Sequence, residues 1–315
     1  MRGNIGAELS ATLAASGANM LPFLPAFPRL RRTTVGGRHY IDGVPVSESV
    51  FGRDPFNPVL DSDVRRLIAM QTDAPVWNAI PEELAAECGI CVVDAESDAD
   101  LERAGERMGE LGVLPASAGC AGFAALLPSL FKFRTNAPPA MPALGGGLLV
   151  VCGSVNPITR RQLDWAGEHG FTRLRLTPAQ KLEGDTVAMP LPRTRWLILD
   201  AGDADPDNAQ MLAHPREDGY DIDEVRHRIT ANLAEALAAL EPEWPGVLLI
   251  TGGDTLLQCL TRLCVNEIEP LLELFPGVVL SKCSLAGRER LVISKSGGFG
   301  DETLLTDLQK LIERS

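Results

Sequence analysis

The sequence predicts an α/β protein of two domains, each with a mainly parallel sheet flanked by helices. Apolar runs of strand length alternate with segments of helical period, which is the pattern of βα units. The 315 residues, 45% hydrophobic and 23% charged, suffice for two cores of ordinary size. The stretch 135–147 is rich in Pro and Gly, lacks an apolar period and runs directly into a strand. It therefore reads as a linker between a first domain, 1–134, and a second, 148–315.

Taken in order, the first domain opens with an amphipathic helix over Ala7 to Ala15 and a strand over Leu21 to Leu24. Tyr40-Ile41-Asp42-Gly43-Val44 reads as a small hairpin, because Asp-Gly supplies the positive φ values of a tight turn. Helix Asp61 to Met70, strand Ile90 to Asp94 and helix Asp98 to Leu111 complete the domain. In the second, strands are predicted at Leu148 to Cys152, Arg173 to Leu176, Trp196 to Asp200, Val247 to Thr251, Val278 to Ser281 and Leu291 to Ser294. Helices are predicted at Pro157 to His169, Asp223 to Leu240, Thr255 to Cys264 and Glu302 to Glu313.

Charge limits the ligands. Lys plus Arg total 29 against 42 Asp plus Glu, for a net charge of -13, so nucleic acid and anionic membrane surfaces are excluded as partners. No run reaches the roughly 18 to 20 apolar residues of a membrane span, and the opening residues lack a signal peptide's apolar core. The expected location is cytoplasmic. The seven cysteines are scattered, which suits a reducing compartment. Cys88-Gly89-Ile90-Cys91 has motif spacing, but Cys91 opens an apolar run of strand character, so these cysteines read as structural and no metal site is predicted.

Three turns in the second domain carry the candidate chemistry, each after a predicted strand, where α/β folds place ligands. The first is Cys152-Gly153-Ser154-Val155-Asn156-Pro157, in which Ser154 either donates to a nucleotide or simply caps the next helix. The second is Thr251-Gly252-Gly253-Asp254-Thr255, which runs into a helix expected to begin near Leu256. Its two glycines would turn backbone amides outward as an anion-binding nest, which suits a polyphosphate. Asp254 is the candidate catalytic residue, through Mg²⁺ or the acceptor hydroxyl; the plain alternative is that Asp254 and Thr255 cap the helix. The third is Ser294-Lys295-Ser296-Gly297-Gly298-Phe299-Gly300-Asp301, whose glycines would admit an adenine or a phosphate, with Lys295 adding positive charge. Neither a Walker loop nor Gly-x-Gly-x-x-Gly occurs.

These turns, in this order, resemble the nucleotide-binding domain of the four-carbon acid sugar kinases, the threonate, erythronate and 3-oxo-tetronate kinases. Gly153, Ser154, Pro157, Thr159 and Gln162 meet one family pattern, Thr251 to Thr255 a second and Lys295 to Gly300 a third. In the first domain, Arg2 to Glu8, Pro25 to Pro28, Arg32 to Val35, Tyr40 to Pro45, Asp54 to Pro58 and Ser117 to Gly119 follow the family's substrate-binding domain. The resemblance implies ATP with Mg²⁺, and transfer of the γ-phosphate to a hydroxyl of a four-carbon acid sugar. It implies a nucleotide held by Ser154, Gly252, Gly253, Asp254, Thr255, Gly297 and Gly298. Arg2 and Asn4 would lie toward the sugar acid, whose carboxylate suits a bidentate Arg. The family usually has Gly where Arg31 stands, which implies a turn built differently here.

One departure stands out. In the family, an Asp-Asp-x-Thr-Gly-Ala turn and several earlier elements precede the Arg-Gly-Asn segment, and this sequence begins after them. The expectation is a first domain with an exposed sheet edge, covered by self-association or by an N-terminal segment. The alternative function is a truncated, catalytically impaired nucleotide-binding remnant, and a purely structural protein is the third reading.

Overall fold

The computed structural model describes residues 3–53, 58–134, 140–154, 156–177, 180–181, 192–202 and 222–315. Arg2, Val155, residues 54–57 of the Asp-Pro-Phe-Asn-Pro motif and residues 135–139 of the linker lie outside them. The chain divides into two compact units, Met1–Asn136 and Ala137–Ser315.

In the first unit, strands β1 (Met20–Leu24), β5 (Val76–Ala79), β6 (Gly89–Val93) and β7 (Ala118–Gly119) form a parallel sheet in the order β5-β6-β1-β7. The central strands are buried at every position, because helices cover both faces. Alternation sorts their side chains. Leu21, Phe23, Ile90 and Val92 pack with Leu9 of α1 (Ile5–Ser16) and Val64 and Ile68 of α2 (Val64–Ala69). Leu24, Cys91 and Val93 pack instead with Leu101, Ala104 and Met108 of α3 (Asp98–Glu110) and Phe123 of α4 (Ala121–Ala124). Ser97 and Asp100 close a reciprocal capping box that starts α3. A further short helix, α5, spans Leu127–Leu130.

A separate antiparallel sheet of β2 (Arg32–Val35), β3 (Arg38–Ile41) and β4 (Val44–Pro45) contains the predicted hairpin. Its turn residues Asp42 and Gly43 both have positive φ, 53° and 78°, as a two-residue turn requires. The turn before β2 corrects an expectation. Arg31 takes φ 53°, the left-handed conformation that glycine adopts freely, so the turn has a glycine-type backbone and carries the steric cost of a side chain.

The second unit is built on one sheet of order β12-β13-β14-β11-β8-β10-β9. The strands are β8 (Leu148–Cys152), β9 (Thr172–Arg175), β10 (Trp196–Asp200), β11 (Val247–Thr251), β12 (Glu269–Phe275), β13 (Val278–Leu285) and β14 (Arg288–Lys295). From β14 to β9 the pairing is parallel; β13 runs antiparallel to both of its neighbours, β12 and β14. Helices α6 (Pro157–Glu168) and α9 (Leu304–Arg314) cover one face through Leu163, Ala166, Leu304, Leu308 and Ile312. The other face meets α7 (Ile222–Leu240) and α8 (Gly253–Arg262) through Val225, Leu233, Leu237 and Cys259. Leu148, Leu149, Val150 and Val151 are wholly buried, each contributing about 1.5–3 kcal/mol of apolar burial.

Several sequence expectations need revision. Strands β5 and β12 are absent from them and β13 and β14 are longer than predicted, eight residues each. Helix α8 begins at Gly253 rather than near Leu256, which turns the Gly-Gly-Asp-Thr segment from a loop into the helix's first turn.

Candidate functional site

In the sheet β8 lies between β10 and β11: the chain runs from β8 through α6 to β9 and β10 on one side, then crosses back through α7 to β11 on the other. In an open α/β sheet the crevice outside the strand ends at such a reversal is where ligands bind. The register brings the three predicted turns there together. Thr251 pairs with Cys152 on one side and with Lys295 on the other, so β8, β11 and β14 end abreast.

The turns touch at glycines. A Cβ on Gly153 would lie 2.5 Å from the Oγ1 of Thr255, and one on Gly297 would lie 2.7 Å from the Oγ of Ser154. Only glycine fits at either place without displacing its neighbour. The amide of Gly252 donates to the carbonyl of Lys295 at 3.0 Å, tying the β11 turn to the end of β14. Helix α6 anchors the third turn from behind: the Thr159 hydroxyl donates to the Gly297 carbonyl at 2.6 Å. The Gln162 amide donates to the carbonyls of Phe299 and Asp301 at 2.9 and 2.8 Å. Thr159 and Gln162 are thus structural members of the site.

Every predicted site residue except Arg2, which lies outside the described residues, has a defined place. Ser154 does not cap α6; its Oγ accepts from the amide of Asn156 at 3.2 Å, while the Asn156 side chain caps the helix by accepting from Ile158. Gly252 stands at the N-cap of α8 with φ 98° and no side chain caps that helix. The amides of Gly253, Asp254 and Thr255 therefore open outward at a helix N-terminus, beyond reach of any intrahelical carbonyl. Thr255 is buried beneath Gly153, whereas Asp254 is exposed and pairs with Arg226 of α7 at 3.0 Å. Gly298 is half-buried next to Gly297 in the third turn. Open amides, a helix dipole and glycine-lined backbone together suit a ligand with several anionic oxygens and a flat ring.

In the first unit, Asn4 stands exposed at the N-cap of α1 and makes no capping bond. Gln71 positions this segment, accepting from the Gly6 amide at 2.8 Å and donating to the Gly3 carbonyl at 3.1 Å. Gly6 is required because a Cβ there would lie 2.4 Å from the Ile68 carbonyl oxygen. Sequence reasoning also missed Asp94, buried at the end of β6. It accepts from the amides of Gly36 and Gly37 at 2.7 and 2.9 Å and docks the small sheet onto the large one. Burial raises its pKa above the ordinary carboxylate value, with those amides pulling the other way.

The cysteines behave as structural residues. All seven are free, and burial pushes the thiols of Cys91, Cys152 and Cys259 up to about 12. Among the described residues no cluster of three His, Cys, Asp or Glu side chains could hold a metal, and no helix is long and apolar enough to cross a membrane.

Fold and crevice define a two-part α/β protein. Residues 1–127 match the Sugar-binding N-terminal domain and residues 149–305 the Nucleotide-binding C-terminal domain. The chain belongs to the four-carbon acid sugar kinase family. It is 28% identical over 339 residues to a D-threonate kinase of Salmonella typhimurium, an alignment covering 99% of this chain and 78% of that one. Against a 3-oxo-tetronate kinase of Methylobacterium radiotolerans it is 27% identical, covering 95% and 75%. A D-threonate kinase of Bordetella bronchiseptica is 29% identical, covering 97% and 74%. Two solved structures share the fold. One, from Salmonella typhimurium LT2 and solved as a putative tRNA synthase, gives a TM-score of 0.70 at 22% identity, covering 98% of this chain and 77% of that one. The other, a Haemophilus influenzae protein, gives 0.64 at 20% identity, covering 98% and 78%.

Proposed function

We propose that this protein is an ATP-dependent kinase that transfers the γ-phosphate to a hydroxyl of a four-carbon acid sugar of the threonate, erythronate or 3-oxo-tetronate type. The observation that carries the reading is the convergence of three strand-end turns around an uncapped helix N-terminus. The kinase names of the relatives support the same class.

In this reading the amides of Gly253, Asp254 and Thr255 receive the polyphosphate, and Ser154, Gly252, Gly297 and Gly298 line the rest of the nucleotide. Phosphoryl transfer asks the protein mainly for positioning and neutralisation of charge, and rigid backbone donors supply both. Magnesium carried on the phosphates asks for only one or two carboxylates, so Asp254 alone fits as its protein partner; the ion would neutralise charge on the transferring group. Asp254 must first leave Arg226, and that partly exposed pair is worth under about 1 kcal/mol. Arg2 and Asn4 serve the sugar acid from the first unit, Arg2 through its guanidinium and Asn4 through its uncapped side chain.

The test is calorimetric titration with Mg·ATP, followed by a coupled ADP-release assay over threonate, erythronate and 3-oxo-tetronate. Binding, together with ADP release on at least one of the acids, is expected. A chain that binds no nucleotide would remove the reading.

A further inference from the structure

Lys295 is the last residue of β14, only 4% exposed, and it links the third turn to the β11 turn and to α6. Its carbonyl accepts from Gly252 of the β11 turn, and its ammonium lies 3.1 Å from the Ser296 carbonyl in its own turn. The same ammonium lies 3.4 Å from the hydroxyl of Thr159, in the first turn of the helix that follows β8. Both partners of the ammonium are neutral.

Two other buried charges of this unit are treated differently. Asp200 is paired with Arg173 at 2.6 Å, and Glu241 with Arg290 at 2.8 Å. Among the described residues no carboxylate pairs with Lys295. A buried, unpaired ammonium is expensive, and this one lies at the positive end of the α6 dipole, where a cation is further disfavoured. Its two acceptors among the described residues also leave one of its three N–H groups unused. Each feature asks for an anion at the same place, and together they leave a local positive charge in a chain of net charge -13.

We propose that Lys295 is the charge-recognition residue of the nucleotide site, its ammonium neutralised by the phosphates of a bound nucleoside triphosphate. This rests on the nucleotide reading and adds to it a residue whose work is to separate phosphorylated ligands from the bare nucleoside. The remaining N–H of Lys295 faces the phosphates, while Thr159 and the Ser296 carbonyl keep the ammonium behind the glycine turn. Among the described residues the titratable group facing it is Cys152 of β8, whose thiol stays neutral because burial holds it at about 12.

The experiment compares adenosine, ADP and Mg·ATP binding to the wild type, Lys295→Met and Lys295→Arg by calorimetry. Lys295→Met should lose about ten- to a hundredfold in ATP affinity, the range of a charge-assisted hydrogen bond. ADP affinity should fall as well, adenosine affinity should stay within about twofold, and Lys295→Arg should restore part of the loss. An equal loss for all three ligands would make Lys295 a structural residue, and no loss would remove it from the site; either overturns the proposal. If Lys295→Met fails to fold, the wild type still decides. Burial lowers the free amine to about 8, so ATP binding at pH 8.5 should take up a proton, seen as a binding enthalpy that depends on the buffer's ionisation heat. Adenosine should take up none, and absence of uptake with ATP would overturn the proposal. A wild type that binds no nucleotide would instead break the functional reading beneath it.

Discussion

Asp94 in the first unit and Lys295 in the second occupy comparable places, each a buried charge at the carboxyl end of a parallel strand beside a pair of glycines. Their surroundings differ. The carboxylate of Asp94 takes the amides of Gly36 and Gly37 for itself, with Asn78 adding a longer contact at 3.4 Å. Those glycine amides are therefore spent on holding two sheets together. At Lys295 the neighbouring amides of α8 point outward and, among the described residues, the charge has only neutral partners. A glycine pair at a strand end thus marks a candidate ligand site only where the protein has not already consumed its donors.

The largest effect that separates the two places is a pH dependence. The folded pKa of Lys295, about 8, lies below the ordinary 10.5, so the unfolded chain binds more protons between these values. Stability associated with this residue is present above the higher value and lost as pH falls through the lower. Relative to Lys295→Met, the wild type should gain stability from pH 8 to 10.5, by at most about 3 kcal/mol. Urea midpoints of both proteins across that range check it, and parallel curves would refute the charge's isolation.

The self-closed place gives a smaller and purely structural effect. Asp94→Ala should destabilise the first unit by about 2 kcal/mol, because two glycine amides lose their acceptor. Nucleotide affinity should not change, and a calorimetric shift in ATP binding would blur the contrast drawn above. At the open place, Asp254→Ala should lower turnover about tenfold, equivalent to about 1.4 kcal/mol. A loss within about threefold would withdraw its assigned role. The smallest effect is expected at Arg31, where Arg31→Gly relieves a left-handed side chain but loosens the unfolded chain. The net change in a thermal melt should stay under about 1 kcal/mol in the stabilising direction.

The parts of this molecule that could be read in sequence are those governed by neighbours along the chain. The strands of the second sheet announce themselves because burial on both faces makes them continuous apolar runs, as in Leu148 to Cys152 and Val247 to Thr251. The Asp42-Gly43 turn is legible because its backbone demands those residue types. Strand β12 is not, because Glu269, Pro270 and Glu273 are exposed on an edge and register shifts interrupt its alternation. Gln71 and Asp94 were missed for another reason. Their partners, Gly6 and Gly37, lie 65 and 57 positions away, and no local pattern records such a bond. In the site the glycine turns were legible, but the start of α8 was not, since Gly252 and Gly253 depress helix propensity where the N-terminus requires them.

The bond between Thr159 and Gly297 joins residues 138 positions apart, and the crevice collects turns from the beginning, middle and end of the second unit. Contacts of this separation carry a large loop-closure cost, because the chain between them must be ordered before they can form. A ligand that bridges the three turns therefore acts as a fastener on the folded chain. At a concentration one hundred times its dissociation constant it would add about 2.7 kcal/mol to stability, so occupancy and resistance to proteolysis should rise together.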